Sequence, residues 1–162
     1  MRQEFTFWTL QEDDMYTKIL APLDGSDFSE CTLGHVRAIA TSCNVPEVVL
    51  LRVLEPLEGV YEMSEPWISE MQDKAQAVAE DYLSELTDNL KKEGIAAEGV
   101  VVRGRAAEEI LEYAKNNQVD LIIMSTHGRS GVSRWFIGSV ADRVVRHCVA
   151  PVLLASPSSC RL

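Results

Sequence analysis

The segment that decides the fold runs from Asp120 to His147 and reads DLIIMSTHGRSGVSRWFIGSVADRVVRH. It begins with an apolar run that predicts a strand and ends with an amphipathic run that predicts a helix. The loop between them is rich in glycine and hydroxyl side chains. At the carboxyl end of a strand and the amino end of a helix, unpaired N–H groups and the helix dipole suit a phosphate. Strand-to-helix connections usually take about 2–6 residues, so the length of this loop also indicates a function.

The same alternation of apolar strand and amphipathic helix extends outward over the rest of the chain. The predicted strands are Lys18–Leu23, Val48–Leu54, Ala97–Val102, Asp120–Met124 and Pro151–Ala155. The predicted helices are Phe28–Ser42, Trp67–Glu93, Ala106–Asn116 and Ser139–His147. This alternation predicts an α/β fold in which a five-stranded parallel sheet is covered by helices on both faces. Right-handed crossovers then favour the strand order 3-2-1-4-5.

That strand order places the topological switch point between the first and fourth strands. Ligands of open α/β sheets bind at this point, outside the carboxyl ends of the strands. Two unusual loops meet there, namely Asp24-Gly25-Ser26 and the segment from Ser125 to Gly138. Their convergence predicts one binding crevice.

Two local patterns describe the helices. Asp27 and Glu30 have the spacing of a capping-box-like pair at the start of the first helix. The longest helix carries apolar residues at helical spacing, which predicts a core-facing stripe that includes Met71. The stripe consists of Ile68, Met71, Ala75, Val78, Ala79, Tyr82, Leu86 and Leu90.

Composition limits the classes of partner. The chain has 162 residues, with 15 basic and 25 acidic side chains and a formal net charge of −10. Such an acidic surface disfavours nucleic acid and anionic membranes, and we expect neither as a partner. Arg129 and Arg134 stand out because both fall within the glycine loop. They are either solvated or directed at a phosphate.

Length and patterning predict a single domain over residues 15–156. Residues 1–14 are expected to form a flexible extension and residues 157–162 a tail. Since the sequence shows no signal peptide and no membrane-length apolar run, we expect a cytoplasmic location. The cysteines Cys31, Cys43, Cys148 and Cys160 have no metal-finger spacing. They are expected to be reduced, with a Cys31–Cys43 redox pair as the alternative.

Two common nucleotide motifs are missing. A Walker A loop requires G-x-x-x-x-G-K-[ST], and the chain has no such lysine. The dinucleotide fingerprint G-x-G-x-x-G is also absent after the first strand, where the sequence reads DGSDFS. A P-loop ATPase and a standard NAD domain are therefore both disfavoured.

The chain resembles the universal stress protein family. Gly128, nine further residues and then Gly138-Ser139 resemble its nucleotide motif G-x-x-G-x9-G-[ST], with Ser125 in place of the first glycine. The resemblance runs from Tyr16 to Ala155 and rests on five segments in order: KILAPLDGS, VVLLRVLEP, VVRGRAAEEI, STHGRSG and GSVADRVVRHCVAPVLL. It implies a Rossmann-like nucleotide-binding fold and places the chain in the ATP-binding subclass.

The resemblance also implies roles for individual residues. The adenosine end would be lined by Pro22, Leu23 and Asp24, with the backbone of Val53 reading the adenine edge. The first half of the phosphate loop would be Met124, Ser125, Gly128 and Arg129. The terminal phosphates would be held by Gly138, Ser139, Val140 and Ala141. Three of these assignments have a purely structural alternative: an Asx-turn at Asp24, strand core at Val53 and an ordinary helix cap at Gly138-Ser139.

The resemblance therefore implies a regulatory stress-response module that binds ATP, or ADP or AMP, together with Mg²⁺. Phosphate oxygens and water would supply most of the Mg²⁺ ligands, with Asp24 joining through water. Because no residue that activates water is evident, we expect little or no hydrolysis. His127 is expected to stabilise the loop by a hydrogen bond and not to act as a general base.

Two other functions remain open. The chain could be a slow ATPase or an autophosphorylating phosphotransferase with Ser125, Ser133 or Ser139 as acceptor. It could also be an interaction protein that needs no nucleotide. In either case the resemblance implies a homodimer formed through the edge strand Pro151–Ala155, because an apolar sheet edge is a pairing hazard unless it is covered.

Overall fold

The computed structural model describes residues 15–56, 65–127 and 137–156. Within these ranges the strands are β1 (Lys18–Pro22), β2 (Glu47–Leu54), β3 (Ala97–Arg103), β4 (Leu121–Ser125) and β5 (Val152–Ala155). The helices are α1 (Asp27–Glu30), α2 (Thr32–Ser42), α3 (Glu65–Lys92), α4 (Ala106–Asn116) and α5 (Ser139–His147). All strand pairs are parallel and the sheet order is β3-β2-β1-β4-β5, which confirms the predicted topology.

The sheet is buried on both faces because its central strands are continuous apolar runs. Ile19, Leu20, Val48 and Val49 have no exposed surface. Ile19 and Val48 face a core that also contains residues of α2 and α3. Leu20 and Val49 face the opposite core, to which α4 and α5 contribute. The helices therefore lie on both faces, as the alternating pattern predicts.

The first predicted helix is divided at Cys31 into α1 and α2. Hydroxyl groups bond to the backbone at this point: Ser29 Oγ donates to the carbonyl of Ser26 at 2.8 Å and Thr32 Oγ1 to that of Ser29 at 2.6 Å. The expected Asp27–Glu30 capping pair is wrong. Ser26 is the N-cap, and its Oγ accepts from the Ser29 N–H at 3.2 Å.

Helix α3 is longer than the sheet it covers. Its 28 residues span about 42 Å, whereas the seven residues of β3 span about 23 Å. The two elements pack closely at Gly99 of β3 and Leu83 of α3. A Cβ added to Gly99 would lie only 2.8 Å from the Cβ of Leu83. The first turns of α3 therefore extend beyond the carboxyl end of the sheet. Ala79 and Leu90 are buried as predicted, whereas Val78, about 100° around the helix from Ala79, is 69% exposed, so its place in the predicted stripe is wrong.

Asp120 joins the amino ends of β1 and β4. Its Oδ2 accepts from the N–H of Thr17 at 2.7 Å and from Thr17 Oγ1 at 2.6 Å, and its Oδ1 accepts from the N–H of Lys18 at 3.1 Å. The sequence places Asp120 in the strand. In the structure β4 begins one residue later, at Leu121, and the N–H of Asp120 donates to the carbonyl of Lys18 at 3.1 Å.

The expectation of reduced cysteines is correct for Cys43 and Cys148 but not for Cys31. Cys43 and Cys148 are free thiols, so the considered Cys31–Cys43 pair is not formed. Cys31 is disulfide-bonded, and the prediction that it is reduced is wrong. Within the part of the chain that the structure describes, no helix is both long enough and apolar enough to cross a membrane.

Candidate functional site

A cleft of about 730 Å³ opens at the carboxyl ends of the strands, where β1 and β4 diverge. It lies at the predicted switch point. Ten of the twelve predicted site residues line it: Pro22, Leu23, Asp24, Val53, Met124, Ser125, Gly138, Ser139, Val140 and Ala141. The other two, Gly128 and Arg129, lie outside the described residues, as does Arg134.

The turn after β1 brings Asp24 to the cleft wall. The N–H of Leu23 donates to the carbonyl of Leu51 at 2.8 Å, which holds the end of β1 against β2. Asp24 Oδ1 accepts from the N–H of Ser26 at 3.0 Å and from its hydroxyl. Gly25, with φ at +77°, completes this Asx-turn. The structural alternative for Asp24 is thus present, and the same residue lines the cleft.

The backbone of Val53 faces the cleft for a reason of strand geometry. The carbonyl of Leu51 is directed at β1, where Leu23 donates to it, and the carbonyl of Leu54 is directed at β3, where Gly104 donates to it at 3.1 Å. Because peptide groups of alternate residues point to opposite edges, Val53 is directed to the same side as Leu51. Strand β1 ends at Pro22, opposite Leu51. The N–H and carbonyl of Val53 therefore project beyond the end of β1.

Hydrogen bonds of the side chains of Ser125 and Thr126 stabilise the backbone where β4 ends. Ser125 Oγ donates to the carbonyl of His127 at 2.6 Å, so the serine that replaces the motif glycine is accommodated by a bond to the backbone. Thr126 Oγ1 and His127 Nδ1 are 2.9 Å apart. The N–H of Thr126 also donates to the carbonyl of Ala155 at 2.9 Å. The expected structural hydrogen bond of His127 is thus present.

Helix α5 begins at the cleft with its amino end. Gly138 is the N-cap and makes no side-chain capping bond, and Ser139 is the first residue of the helix. Its first intrahelical bond runs from the N–H of Asp142 to the carbonyl of Gly138 at 2.9 Å. The N–H groups of residues 139–141 precede that bond and have no acceptor within the helix. They can donate to an anion, and the helix dipole favours negative charge at this end.

Several residues of the cleft were not predicted. Met71 was assigned to the core, yet it lines the cleft from the overhanging part of α3 together with Gln72. Arg103, at the end of β3, donates to the carbonyl of Gln72 at 3.2 Å. Glu55 Oε1 accepts from the N–H of Ala106 at 3.4 Å. The helical period shows that Met71 shares a face with core residues, but it does not show where the sheet beneath that face ends.

Arg52 is the missed residue that the sequence could have revealed. It is a charged side chain in the strand EVVLLRVL, next to four residues without exposed surface. Its Nη1 donates to the carbonyl of Leu23 at 3.1 Å. It also lines the cleft. A cation inside a buried apolar run is unusual enough to indicate a local acceptor.

A second polar contact near the cleft end of the sheet joins α1 and α3. Tyr82 of α3 donates its hydroxyl to Glu30 Oε1 at 3.0 Å. Burial raises the pKa of Tyr82 far above its usual value, and the bond to Glu30 raises it further. Arg52 acts in the opposite direction and Asp24 in the same direction as Glu30. Three charged side chains from separate elements, Glu30, Arg52 and Asp24, therefore act on the Tyr82 hydroxyl.

Comparison with known proteins agrees with the fold. The sequence model of the Universal stress protein family matches residues 15–156. Universal stress protein MJ0577 of Methanocaldococcus jannaschii is 30% identical, and the match covers 86% of this chain and 94% of that protein. Its relative MJ0531 from the same organism is 32% identical, with 88% and 83% covered.

Solved structures show the same architecture. The structure of MJ0577 has a TM-score of 0.79 at 32% identity and covers 88% of this chain and 96% of its own. UspA of Lactobacillus plantarum has a TM-score of 0.75 at 25% identity, with 86% and 97% covered. Two universal stress proteins share the fold at 22% and 18% identity, each with a TM-score of 0.62. The first was crystallised with cAMP, and the second, from Arabidopsis thaliana, has AMP bound. The chain belongs to the universal stress protein family.

Proposed function

We propose that the cleft binds an adenine nucleotide, with ATP as the expected ligand, and that the protein is a regulatory stress-response module. The observation that carries the proposal is that three structural elements meet at one cleft. They are the turn at Asp24, the end of β4 at Ser125 and the amino end of α5 at Ser139. The relatives crystallised with cAMP and AMP support an adenine nucleotide as the class of ligand.

The described residues suit the parts of such a ligand. The Val53 peptide offers a donor and an acceptor side by side, which an adenine edge requires. Asp24 offers a carboxylate acceptor for ribose hydroxyls. The N–H groups at the start of α5 suit phosphate oxygens. Gly128 and Arg129 complete the proposed set through the motif, and their role rests on the sequence.

Mg²⁺ is proposed as the companion of a bound triphosphate. Residues 15–56, 65–127 and 137–156 contain no group of three or more His, Cys, Asp or Glu side chains able to hold a metal. A cation bound mainly by phosphate oxygens and water, with Asp24 as an outer partner, needs no such group.

We propose binding with little or no hydrolysis. Two carboxylates of the described cleft, Asp24 and Glu55, already accept hydrogen bonds from the backbone. Their acceptor capacity is thus partly used for structure, which makes either one a poor base for activating water. A slow ATPase or an autophosphorylating activity stays the alternative, with Ser125 and Ser139 as the described hydroxyls at the phosphate end.

The decisive experiment identifies and then measures the ligand. Protein purified without added nucleotide is denatured, and the released small molecules are identified by mass spectrometry. Stripped protein is then titrated calorimetrically with ATP, ADP, AMP and GTP, with and without Mg²⁺. An adenine nucleotide that copurifies or binds with a defined stoichiometry supports the proposal. If no adenine nucleotide copurifies and none binds on addition, the proposal fails.

A homodimer through β5 is proposed as the state in which the module acts, with the cytoplasm as its setting. In the described chain β5 pairs with β4 along one edge, and Val152, Leu153 and Leu154 are only half-buried. Val149, just before the strand, is 80% exposed. A second copy would cover this apolar edge by a closed two-fold contact. Light scattering at micromolar concentration should give twice the mass of one chain, and a monomer would contradict the dimer.

A further inference from the structure

The peptide group between Leu23 and Asp24 is held by side chains on both sides. Its carbonyl oxygen accepts from Arg52 Nη1 at 3.1 Å. Its N–H donates to Ser29 Oγ at 3.3 Å. This peptide plane fixes the direction in which Asp24 leaves the backbone. Arg52 of β2 and Ser29 of α1 therefore set the orientation of Asp24 from two separate elements.

The position of Arg52 in β2 explains why it can do this. Side chains alternate along a strand, so Arg52 lies on the same face as Leu50, towards α2 and α3. One residue earlier, Leu51 is fully buried and accepts the N–H of Leu23. The guanidinium therefore reaches the turn after β1 from the face of the sheet that α2 and α3 cover.

Three charged side chains from three elements act electrostatically on Tyr82 of α3: Glu30 of α1, Arg52 of β2 and Asp24 of the turn after β1. Glu30 is bonded to Tyr82 at 3.0 Å. Arg52 is thus the cation within a half-buried group that holds two carboxylates. Without it, two negative charges would share the region with less compensation.

We propose that Arg52 is a positioning residue of the nucleotide site, acting on the ligand through Asp24. It holds the Leu23–Asp24 peptide and offsets the charge of Asp24, so that the carboxylate is presented to the cleft in one orientation. This inference rests on the proposed nucleotide-binding function. It differs from two other roles, which are direct contact of the guanidinium with the ligand and general support of the fold.

A double-mutant cycle separates these roles. Binding of ATP with Mg²⁺ is measured calorimetrically for the wild type, Arg52→Met, Asp24→Asn and the double variant. We expect Arg52→Met to weaken binding about tenfold in the wild-type background, in line with a lost hydrogen bond to a charged group. In the Asp24→Asn background the same change should cost no more than about twofold, because residues that act as one unit are not additive.

Conservative variants and a matched control complete the test. Arg52→Lys and Arg52→Gln keep a donor for the Leu23 carbonyl and should lose about threefold or less, midway to the loss expected for Arg52→Met. Arg37→Met breaks the Arg37–Glu93 ion pair, at 2.9 Å, away from the cleft and should leave affinity unchanged. Unfolding midpoints for all variants identify effects of stability. If Arg52→Met does not fold, the cycle is run with Arg52→Leu, which also removes the donor to the Leu23 carbonyl.

The outcomes separate the two proposals. Wild-type protein that binds no nucleotide refutes the proposed function. If the wild type binds but the effects of Arg52 and Asp24 add, Arg52 contacts the ligand or acts independently, and the positioning role is wrong. An Arg52→Met variant that binds like the wild type also refutes it. Non-additive losses with recovery in Arg52→Lys support it.

Discussion

The N–H of Gly138 donates to the carbonyl of Thr126 at 2.7 Å, so the two ends of the long connection between β4 and α5 are joined at its base. A Cβ on Gly138 would lie 2.9 Å from that same carbonyl oxygen. The contact atom belongs to the backbone and cannot rotate away. We therefore predict that Gly138→Ala displaces the first turn of α5 and weakens binding of ATP with Mg²⁺ by about tenfold or more.

Gly34→Ala is the matched control for that glycine change. Gly34 lies in α2, where it is exposed, and a Cβ added to it would meet no atom within 4 Å. Alanine should stabilise the helix by about 0.5–1 kcal/mol, since glycine is a poor helix former. Urea unfolding should show a higher midpoint, while calorimetric affinity stays at the wild-type value. Equal loss of affinity in both variants would contradict the role of the Gly138–Thr126 contact.

Gly99→Ala tests the packing of α3 on the sheet. The added Cβ would meet Leu83 Cβ at 2.8 Å and Leu83 Cδ1 at 3.4 Å. Since the Cβ of Leu83 cannot move without its helix, we predict a loss of about 1–3 kcal/mol in the free energy of unfolding. Chemical denaturation measures it. In a Leu83→Gly background, which lacks that Cβ, the same Gly99→Ala change should cost less, and an unchanged cost would contradict this contact as the cause.

Asp120 supports the opposite end of the sheet from the cleft. Its carboxylate accepts three hydrogen bonds from Thr17 and Lys18. We predict that Asp120→Ala lowers the free energy of unfolding by about 2 kcal/mol, because backbone donors lose a charged acceptor. Asp120→Asn, which keeps one acceptor oxygen, should lose less. Nucleotide affinity measured below the unfolding transition should be the same for both variants and the wild type.

Tyr82 predicts a dependence of stability on alkaline pH. Its pKa is raised above the usual 10.0 in the folded protein, mainly by burial and then by the bond to Glu30. The folded state thus holds this proton more tightly than the unfolded state. The resulting stabilisation is complete below the unfolded pKa near 10 and is lost as the pH rises above it. Tyr82→Phe should reduce the fall in urea midpoint between pH 9 and pH 11, and an unchanged fall would contradict this origin.

Much of the fold followed from periodicity. Strands such as Val48–Leu54 are apolar on both faces, and that pattern requires helices on both sides of the sheet, whatever the details of packing. Helix boundaries set by turn chemistry were less predictable. Ser26 and Asp27 are both good N-caps, and only the bond from the Ser29 N–H to Ser26 Oγ decides between them.

The cleft residues that follow the ends of parallel strands could be predicted from the sheet order. The residues that reach the cleft through tertiary packing could not. Asp24 and Ser139 follow from the sheet order, because parallel strands end at one edge. Met71 and Gln72 reach the cleft only because α3 is longer than β3. Periodicity does not predict a role for Arg52. It describes the strand as a whole, and one cation in an apolar run does not alter the period.

The overhang of α3 gives the protein an optical signal of its own. Trp67 stands one helical turn before Met71, which lines the cleft, and Trp67 is 42% exposed. A ligand that excludes water from this end of the helix, or moves it, changes the environment of the partly exposed Trp67 indole. With Trp8 and Trp135 replaced by phenylalanine, the emission of Trp67 would follow occupancy of the cleft in solution without any attached dye.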